Sequence, residues 1–537
     1  MSHTLFKCFL LILVLSVIGC AKRGTITGGS KDTLAPILRS SLPKNGTVNF
    51  NGKEIKLYFN EYVKLKNVGK QLIVSPPMKR TPEILPINAS KFITIKLKDS
   101  LQPNTTYSFN FGQSIEDNNE GNALGQFKYV FSTGNYIDSL ALKATFKDAL
   151  EKKMDKFISF LLYEVNEKYN DSTIYKETPK YITNSLDSLT IVTLENLKQG
   201  KYRLIALKDE NKNNKFDPKN DKIGFIKDFV TVPNDTLYQL ELFKERLPFN
   251  VFKPSQSSGN RATLGYEGDL KDVKYEVRKG NEAIPFKVTK LPKKDSLQIW
   301  FKPIKNDSIA ITILKYKKNT SFVLKLKDQK KDTMIFSMQR GGVLPFREKF
   351  IINSSTPLIN IDNSKIKIIA KDSSNVAFKT NYEEWNQQLV FDFDKQPLEK
   401  YAVTVFPGAL TDYYENRNDT LKYSFTTQNT TDYGNLKVVL EKVKRFPVIV
   451  ELTDKDGKIL ATHYSEKETT IDFNLVEPAK FTMRLIYDDD KDGLWTPGSY
   501  LEKRLSEEVI YFPKEIDVRA NWDVEQPFDV GGPSVKK

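Results

Sequence analysis

Apolar and polar residues alternate along most of this chain. Glu54, Ile55, Lys56, Leu57, Tyr58, Phe59 and Phe92, Ile93, Thr94, Ile95, Lys96, Leu97 are representative runs. A two-residue period sends successive side chains to opposite faces of a half-buried strand. Turn-forming clusters separate the runs, for example Pro43, Lys44, Asn45, Gly46 and Asp117, Asn118, Asn119, Glu120, Gly121. A sustained 3.6-residue period is hard to find. The pattern predicts an all-β chain of tandem β-sandwich modules, since 537 residues are too many for one core.

Punctuation in the sequence sets the expected boundaries. Residues 1–19 read as a signal peptide and residues 20–34, with Gly24, Gly28 and Gly29, as a tether. Modules are expected at 35–134, 137–244, 246–343, 345–428 and 432–530, with Pro254 to Ala262 as a loop or linker at the third. The order of features also repeats. Tyr107 to Thr133 runs from an alternating strand through an Asp/Asn/Glu/Gly turn to Phe131, Ser132, Thr133; Tyr401 to Thr427 runs through Asp412, Glu415 and Asn416 to Phe425, Thr426, Thr427. An acidic loop follows each copy. This predicts a duplicated pair of domains around a different β unit.

The first twenty residues carry an address. Lys7 precedes the apolar run Cys8 to Leu15, too short for a stable membrane-spanning helix and suited to a signal peptide. Val17, Ile18, Gly19, Cys20 then resembles the bacterial lipobox, in which the cysteine is acylated and becomes the new N-terminus. The plainer alternative is an ordinary cleaved signal with a chance cysteine. With no other apolar stretch of spanning length, acyl chains such as palmitate on Cys20 are the expected attachment.

Composition removes several chemistries. The two cysteines are Cys8 and Cys20, so a lipidated mature chain keeps no disulfide and no free thiol. His3 leaves with the signal, and His463 is then the one remaining imidazole. Nucleophilic triads and multi-histidine metal sites are therefore not expected. His463 itself reads as an exposed side chain on a strand. The chain is expected not to be an enzyme, although paired carboxylates stay open as a hydrolase reading. The net charge of +15 favours anionic surfaces, but it comes from scattered lysine without a phosphate loop or reading motif, and no nucleic acid is expected.

Two acidic loops are candidate cation sites. Asp209, Asn211, Asn213, Asn214, Asp217 and Asp221 alternate oxygen-bearing side chains, and Asp488, Asp490, Asp492 and Gly493 repeat the opening of that pattern. A hard cation such as Ca2+ takes six to eight oxygens. Neither loop is an EF-hand: Asn214 stands where a loop glycine belongs, and Thr496 and Ser499 stand where closing acids would help. The alternative is a metal-free Asx turn joining two strands. No other cofactor is expected.

Asp followed by Ser or Thr and an apolar residue marks Thr33, Ser100, Ser139, Ser188, Thr236, Ser296, Ser308, Thr333 and Thr420. The triplet resembles the O-glycosylation signal of Bacteroidota envelope proteins; turn chemistry uses the same residues, and both readings put them at the surface. Lys315, Lys317, Lys318, Lys325, Lys327, Lys330 and Lys331 form a basic stretch, read as protection of an exposed edge strand or as a face for acidic partners. Trp300, Trp385, Trp495 and Trp522 are scattered, which suits separate cores better than one sugar platform.

Ile55 to Val63, followed by Leu72, Ile73, Val74, Ser75, Pro76, Pro77, resembles the bacterial Ig-like domain first described in S-layer proteins. The lead-in from Cys20 to Asp32 is similar to Ig-like domain lipoproteins of Bacteroidota, and the later modules resemble transthyretin or carboxypeptidase-regulatory sandwiches. The resemblance implies a lipid-anchored outer-membrane protein, with the cell surface favoured over the periplasmic face. It further implies a non-catalytic structural or interaction subunit, with outer-membrane β-barrels or envelope-machine subunits as partners in assembly or export. The alternative is a glycan-binding surface lipoprotein.

Overall fold

The computed structural model describes residues 32–186, 189–304, 307–316 and 318–531. Within them the chain is all-β and forms five β-sandwich modules in tandem. The alternation is used as expected: Glu54–Leu65 buries Ile55, Leu57 and Phe59 and turns Glu54, Lys56 and Tyr58 outward.

In the first module, strands Leu38–Leu42, Glu54–Leu65, Ser90–Lys96 and Glu83–Leu85 form one sheet in that order. Ile73–Ser75, Thr106–Asn110 and Lys128–Ser132 form the opposing sheet. Phe131 lies at the centre of the core, its ring 4.2 Å from Phe50 and 5.4 Å from Tyr107. The fourth module follows the same strand order from Phe336–Met338 to Leu421–Thr426. Local hydrogen bonds repeat as well. The Tyr107 hydroxyl accepts the Gln102 amide at 2.9 Å, and the Tyr401 hydroxyl accepts the Gln396 amide at 2.7 Å. In both cases a phenol closes a strand corner by reaching five residues back, as in the tyrosine corners of Ig sandwiches. Thr133 Oγ1 accepts the Thr105 amide, and Thr427 Oγ1 accepts that of Glu399.

Asp117 and Asp412 form the second matched pair. Both are buried, and both gather the amides of the turn that follows them. Burial alone would raise the Asp117 carboxyl. The amides of Glu120, Asn122 and Gly121 outweigh it and hold the pKa at about 2.

The second and fifth modules also share one topology. Each packs a three-stranded sheet, whose first and last strands pair in parallel, on a five-stranded antiparallel one. The parallel pairs are Leu140–Asp148 with Leu237–Leu242 and Gly434–Glu441 with Asp523–Asp529. The third module has different sheets, so the chain is a duplicated pair of domains around a distinct β unit. Residues 254–262, expected as a loop or linker, instead form a hairpin in which Ser255–Ser258 pairs with Arg261–Glu267.

Neighbouring modules touch through polar seams. Lys128 meets Glu195 at 2.6 Å between the first and second, and Lys219 meets Glu267 at 2.7 Å between the second and third. Gln298 donates to Gln387 at 3.0 Å between the third and fourth, beside the Trp300 indole that donates to Thr289 Oγ1. Arg340 meets Glu477 at 3.2 Å between the fourth and fifth. The fifth module also packs against the second. Modules two to five therefore close on themselves, and the closure lies at the acidic loops.

Candidate functional site

Both acidic loops leave the long central strand of their module, Gly200–Lys208 in one and Ala479–Tyr487 in the other. Their hydrogen bonds correspond atom for atom. Asp209 accepts the amides of Asn213 and Asn214 at 3.3 and 2.7 Å; Asp488 accepts those of Asp492 and Gly493 at 3.2 and 2.9 Å. Asn214 and Gly493 both take the left-handed conformation, with φ of +57° and +76°. Asparagine is among the few residues other than glycine that adopt it readily. Asn214 thus fills the place where a glycine was expected without breaking the turn.

A second carboxylate closes each arch. Asp221 accepts the amides of Glu210 and Asp217 at 3.0 and 2.8 Å, and Glu507 accepts those of Asp489 and Thr496 at 2.7 and 2.8 Å. Both closing acids are buried. Burial raises both pKa values, against the amides that lower them. The acid that closes the second loop is therefore Glu507, well past Thr496 and Ser499, where a closing acid was expected.

The oxygens of Asp488, Asp490 and Asp492 lie within 4.8 Å of one another, the donor chemistry of a hard-cation site. Asp488 is buried, while Asp490 and Asp492 are exposed. Among the described residues the first loop forms no such group. Its Asn211 and Asn213 are neutral where Asp490 and Asp492 are charged, and Asp217 is taken up by the side-chain amides of Asn211 and Asn220.

The loops also differ in length. Four residues take Asp217 to Asp221, whereas eleven take Thr496 to Glu507. The extra length carries Tyr500 into the second module. Its side chain is fully buried, with the ring 5.3 Å edge-on from Phe225 and beside Phe216, Phe243 and Tyr175. Its amide donates to the Glu245 carboxylate, and its hydroxyl lies 3.0 Å from that of Tyr169. Lys503 sits 3.9 Å above the ring and pairs with Asp171 at 2.6 Å. Gly498 permits this approach, since a Cβ there would run into the Phe243 ring and lie 2.8 Å from the Arg504 carbonyl.

Phe216 and Trp495 hold the same place in their loops, seven residues after Asp209 and Asp488, and both join the apolar cluster around Tyr500. Further along the junction, Arg484 is buried with Glu451 at 2.6 Å and donates to the Leu150 carbonyl at 3.0 Å; the Tyr511 hydroxyl donates to the same carbonyl. The duplicated loops thus build a clasp between modules far apart in sequence. Sequence reasoning found the loops and missed the clasp, because the partners of Tyr500 lie in a module more than 250 residues away.

Other predicted positions fall elsewhere. Cys20 and Ser188 lie outside the described residues. Thr33, Ser100, Ser139, Thr236, Thr333 and Thr420 are exposed, and Ser296 and Ser308 are half-buried. His463 is half-buried, not exposed as expected. It shares a strand face with buried Ala461 and Ser465, its ring 6.4 Å from Phe473. Trp300 is buried, Trp495 half-buried, and the exposed Trp385 and Trp522 belong to different modules. Among these tryptophans no shared stacking platform forms. Of the basic stretch, Lys317 lies outside the described residues, and the strand Lys318–Lys325, which carries two of its lysines, is the edge of its sheet. Lys315 is engaged within its own module, above the Phe249 ring at 4.7 Å.

Comparison with known families bears on the first module. Residues 32–133 match the bacterial Ig-like domain. This Ig-like module is the one with the phenol corner and the buried Asp117 described above. The chain is also similar to solved structures. Surface layer protein SbsC, domains 1–6, is 10% identical, covering 90% of this chain and 67% of that one at a TM-score of 0.16. The titin domains Z1Z2 in complex with telethonin are 10% identical, covering 34% and 95% at 0.13. The N-terminal Ig1-2 module of the Drosophila receptor protein tyrosine phosphatase DLAR is 12% identical, covering 34% and 99% at 0.13. Likeness at these scores carries no argument about function. No curated protein matches the chain.

Proposed function

We propose that this protein is a lipid-anchored lipoprotein of the bacterial outer membrane, acting as a non-catalytic structural and interaction subunit of an envelope complex, with the outer face of the cell favoured. The observation that carries the reading is the clasp. A chain that turns its most elaborate loop into an internal plug, and commits its clustered carboxylates to backbone amides, is built to hold modules in fixed relation. A catalytic role would ask those groups to face a substrate. A calcium ion at Asp488, Asp490 and Asp492 would, within this reading, stiffen the loop that bears Tyr500 and add no chemistry.

Two further observations support attachment through Cys20. No helix among the described residues is long and apolar enough to cross a membrane, and the apolar run and lipobox-like residues stand together at the N-terminus. The proposed partners are outer-membrane β-barrels or the machinery that assembles or exports them, and the Asp-Ser/Thr sites are candidate O-glycan carriers on exposed turns. The deciding experiment is affinity purification of the full chain from detergent-solubilised membranes. Recovery of outer-membrane proteins is expected; a preparation that returns none would sink the assignment, and labelling with a fatty-acid analogue that misses Cys20 would sink the anchor.

A further inference from the structure

The first module leaves one sheet face uncovered. Register places Ser40, Tyr58 and Phe92 side by side across three strands, with Leu42 opposite Lys56 in the next row. Because Ile55, Leu57, Phe59, Ile93 and Ile95 fill the core, this row faces outward. Leu42, Tyr58 and Phe92 are all exposed, Leu42 by 66%, and the Tyr58 and Phe92 rings lie 6.2 Å apart. Exposed Tyr62 continues the strip, with Lys91 stacked 5.4 Å above it, and Ile87 stands 84% exposed just before Ser90–Lys96. Contiguous apolar surface of this kind on an isolated face marks an interaction site.

The chain outside the described residues bears on what covers it. Residues 1–31 contain the apolar run and Cys20, and the chain enters the module along this same sheet. Asn122 holds the Asp32 carbonyl at 3.0 Å and Asn60, two residues beyond Tyr58, accepts the Ile37 amide at 2.6 Å. Leu34 and Ile37 are exposed there too, by 73% and 64%. Twelve residues from Cys20 to Asp32 reach at most about 40 Å when fully extended. An acylated Cys20 therefore keeps this face within a short span of the bilayer.

We infer that the outer face of the first module, centred on Tyr58 and Phe92, lies against the bilayer interface beside the lipid anchor. The inference rests on the proposed anchoring at Cys20. Tyrosine suits the headgroup level, where one end of the ring is apolar and the other wet. Lys56, Lys91 and Lys96 rim the strip and reach past it toward phosphates; Glu54 and Glu83 are the acids among them, Glu54 already paired with Lys56 at 3.2 Å and Glu83 with Lys98 at 2.6 Å.

The test couples the mature chain through Cys20, its one thiol once Cys8 is gone, to a maleimide lipid in vesicles of phosphatidylcholine and phosphatidylglycerol. Brominated acyl chains serve as quenchers, and Tyr58→Trp is compared with Tyr464→Trp, an equally exposed site on the fifth module. Emission added by Tyr58→Trp should shift to the blue and lose most of its intensity, while that added by Tyr464→Trp should not change. Unquenched Tyr58→Trp, equal quenching at both sites, or a shift seen only when outer-membrane proteins are present would each overturn the inference. Because the tether here is chemical, its outcome is independent of whether cells acylate Cys20, which fatty-acid labelling reports separately.

Discussion

Tyr500 in the fifth module and Tyr169 in the second share a hydroxyl contact of 3.0 Å across 331 residues of chain. The pair joins the two modules directly. Truncating Tyr500 to alanine should cost about 3–5 kcal/mol at the junction, by analogy with large-to-small core changes. Tyr500→Phe should cost only about 1 kcal/mol, the worth of one hydrogen bond. Limited proteolysis reads the difference: Tyr500→Ala should open the chain to cleavage between the second and fifth modules. A protease-resistant Tyr500→Ala chain would show that the plug does not hold the junction.

Gly498 tests the same junction by adding atoms. Its absent Cβ leaves room for Phe243, so Gly498→Ala should destabilise by about 1–3 kcal/mol through overpacking. Pairing it with Phe243→Leu, which retracts the ring, should restore part of the loss in thermal unfolding. If the double variant is no more stable than the sum of the single changes, the steric account fails.

The buried pair of Arg484 and Glu451 is the junction's electrostatic element. Arg484→Met leaves Glu451 charged without its partner and the Leu150 carbonyl without one donor, at a cost of about 3–5 kcal/mol. The double variant Arg484→Met with Glu451→Leu should recover much of this, because the pair's desolvation is removed with it. Denaturant midpoints for the two variants provide the measurement.

Acidity should act oppositely at two places. Burial raises the carboxyls of Glu151, Glu245 and Glu507 at the junction above their ordinary 4.5. A raised folded pKa gives stability that is complete below the unfolded value and lost as pH rises through the folded one. Docking of the fifth module on the second should therefore weaken from about pH 4.5 upward, and Glu151→Gln with Glu245→Gln should flatten that dependence. Asp117 has the reverse sign: its contribution is present above 3.8 and disappears as pH falls through about 2. Asp117→Asn should make the first module less stable near neutrality and remove that acid-side loss, as seen by unfolding at stepped pH.

Asp488 accepts two amides of its own loop. Asp488→Ala should destabilise the fifth module by about 1–3 kcal/mol in chelator, through the loss of two backbone hydrogen bonds to a charged acceptor. A loss that appears only when calcium is added would mean that the carboxylate serves the ion and not the turn. Asp490→Asn, at an exposed position, should leave stability in chelator unchanged and abolish any rise in melting temperature that calcium produces.

Strand alternation made the fold class legible, and residues such as Tyr107, Tyr401, Phe131 and Phe425 made the first duplication legible, because corner and core roles recur at one spacing. The acidic loops were legible for the same reason: Asp209 and Asp488 each begin an arch whose left-handed residue comes five positions later. What closes the second arch was not. Asp221 and Glu507 stand at unequal distances from their partners, and no local pattern ties Glu507 to Asp489. The plug escaped for a physical reason too. Tyr500 is fixed by Phe225, Phe243 and Tyr175, which lie hundreds of residues away, and local propensity carries no information about such a partner. His463 shows the same limit on a smaller scale, since its exposure depends on Phe473 in another strand.

The clasp also decides how a pull would travel. Tension entering at the first module and leaving past Asp529 can cross directly from the second module to the fifth at Tyr500. The third and fourth modules then sit in a slack bypass. They should stay folded under strain until the clasp parts, with Tyr500 drawn out and Arg484 pulled from Leu150, so that this one junction sets the threshold at which the chain lengthens.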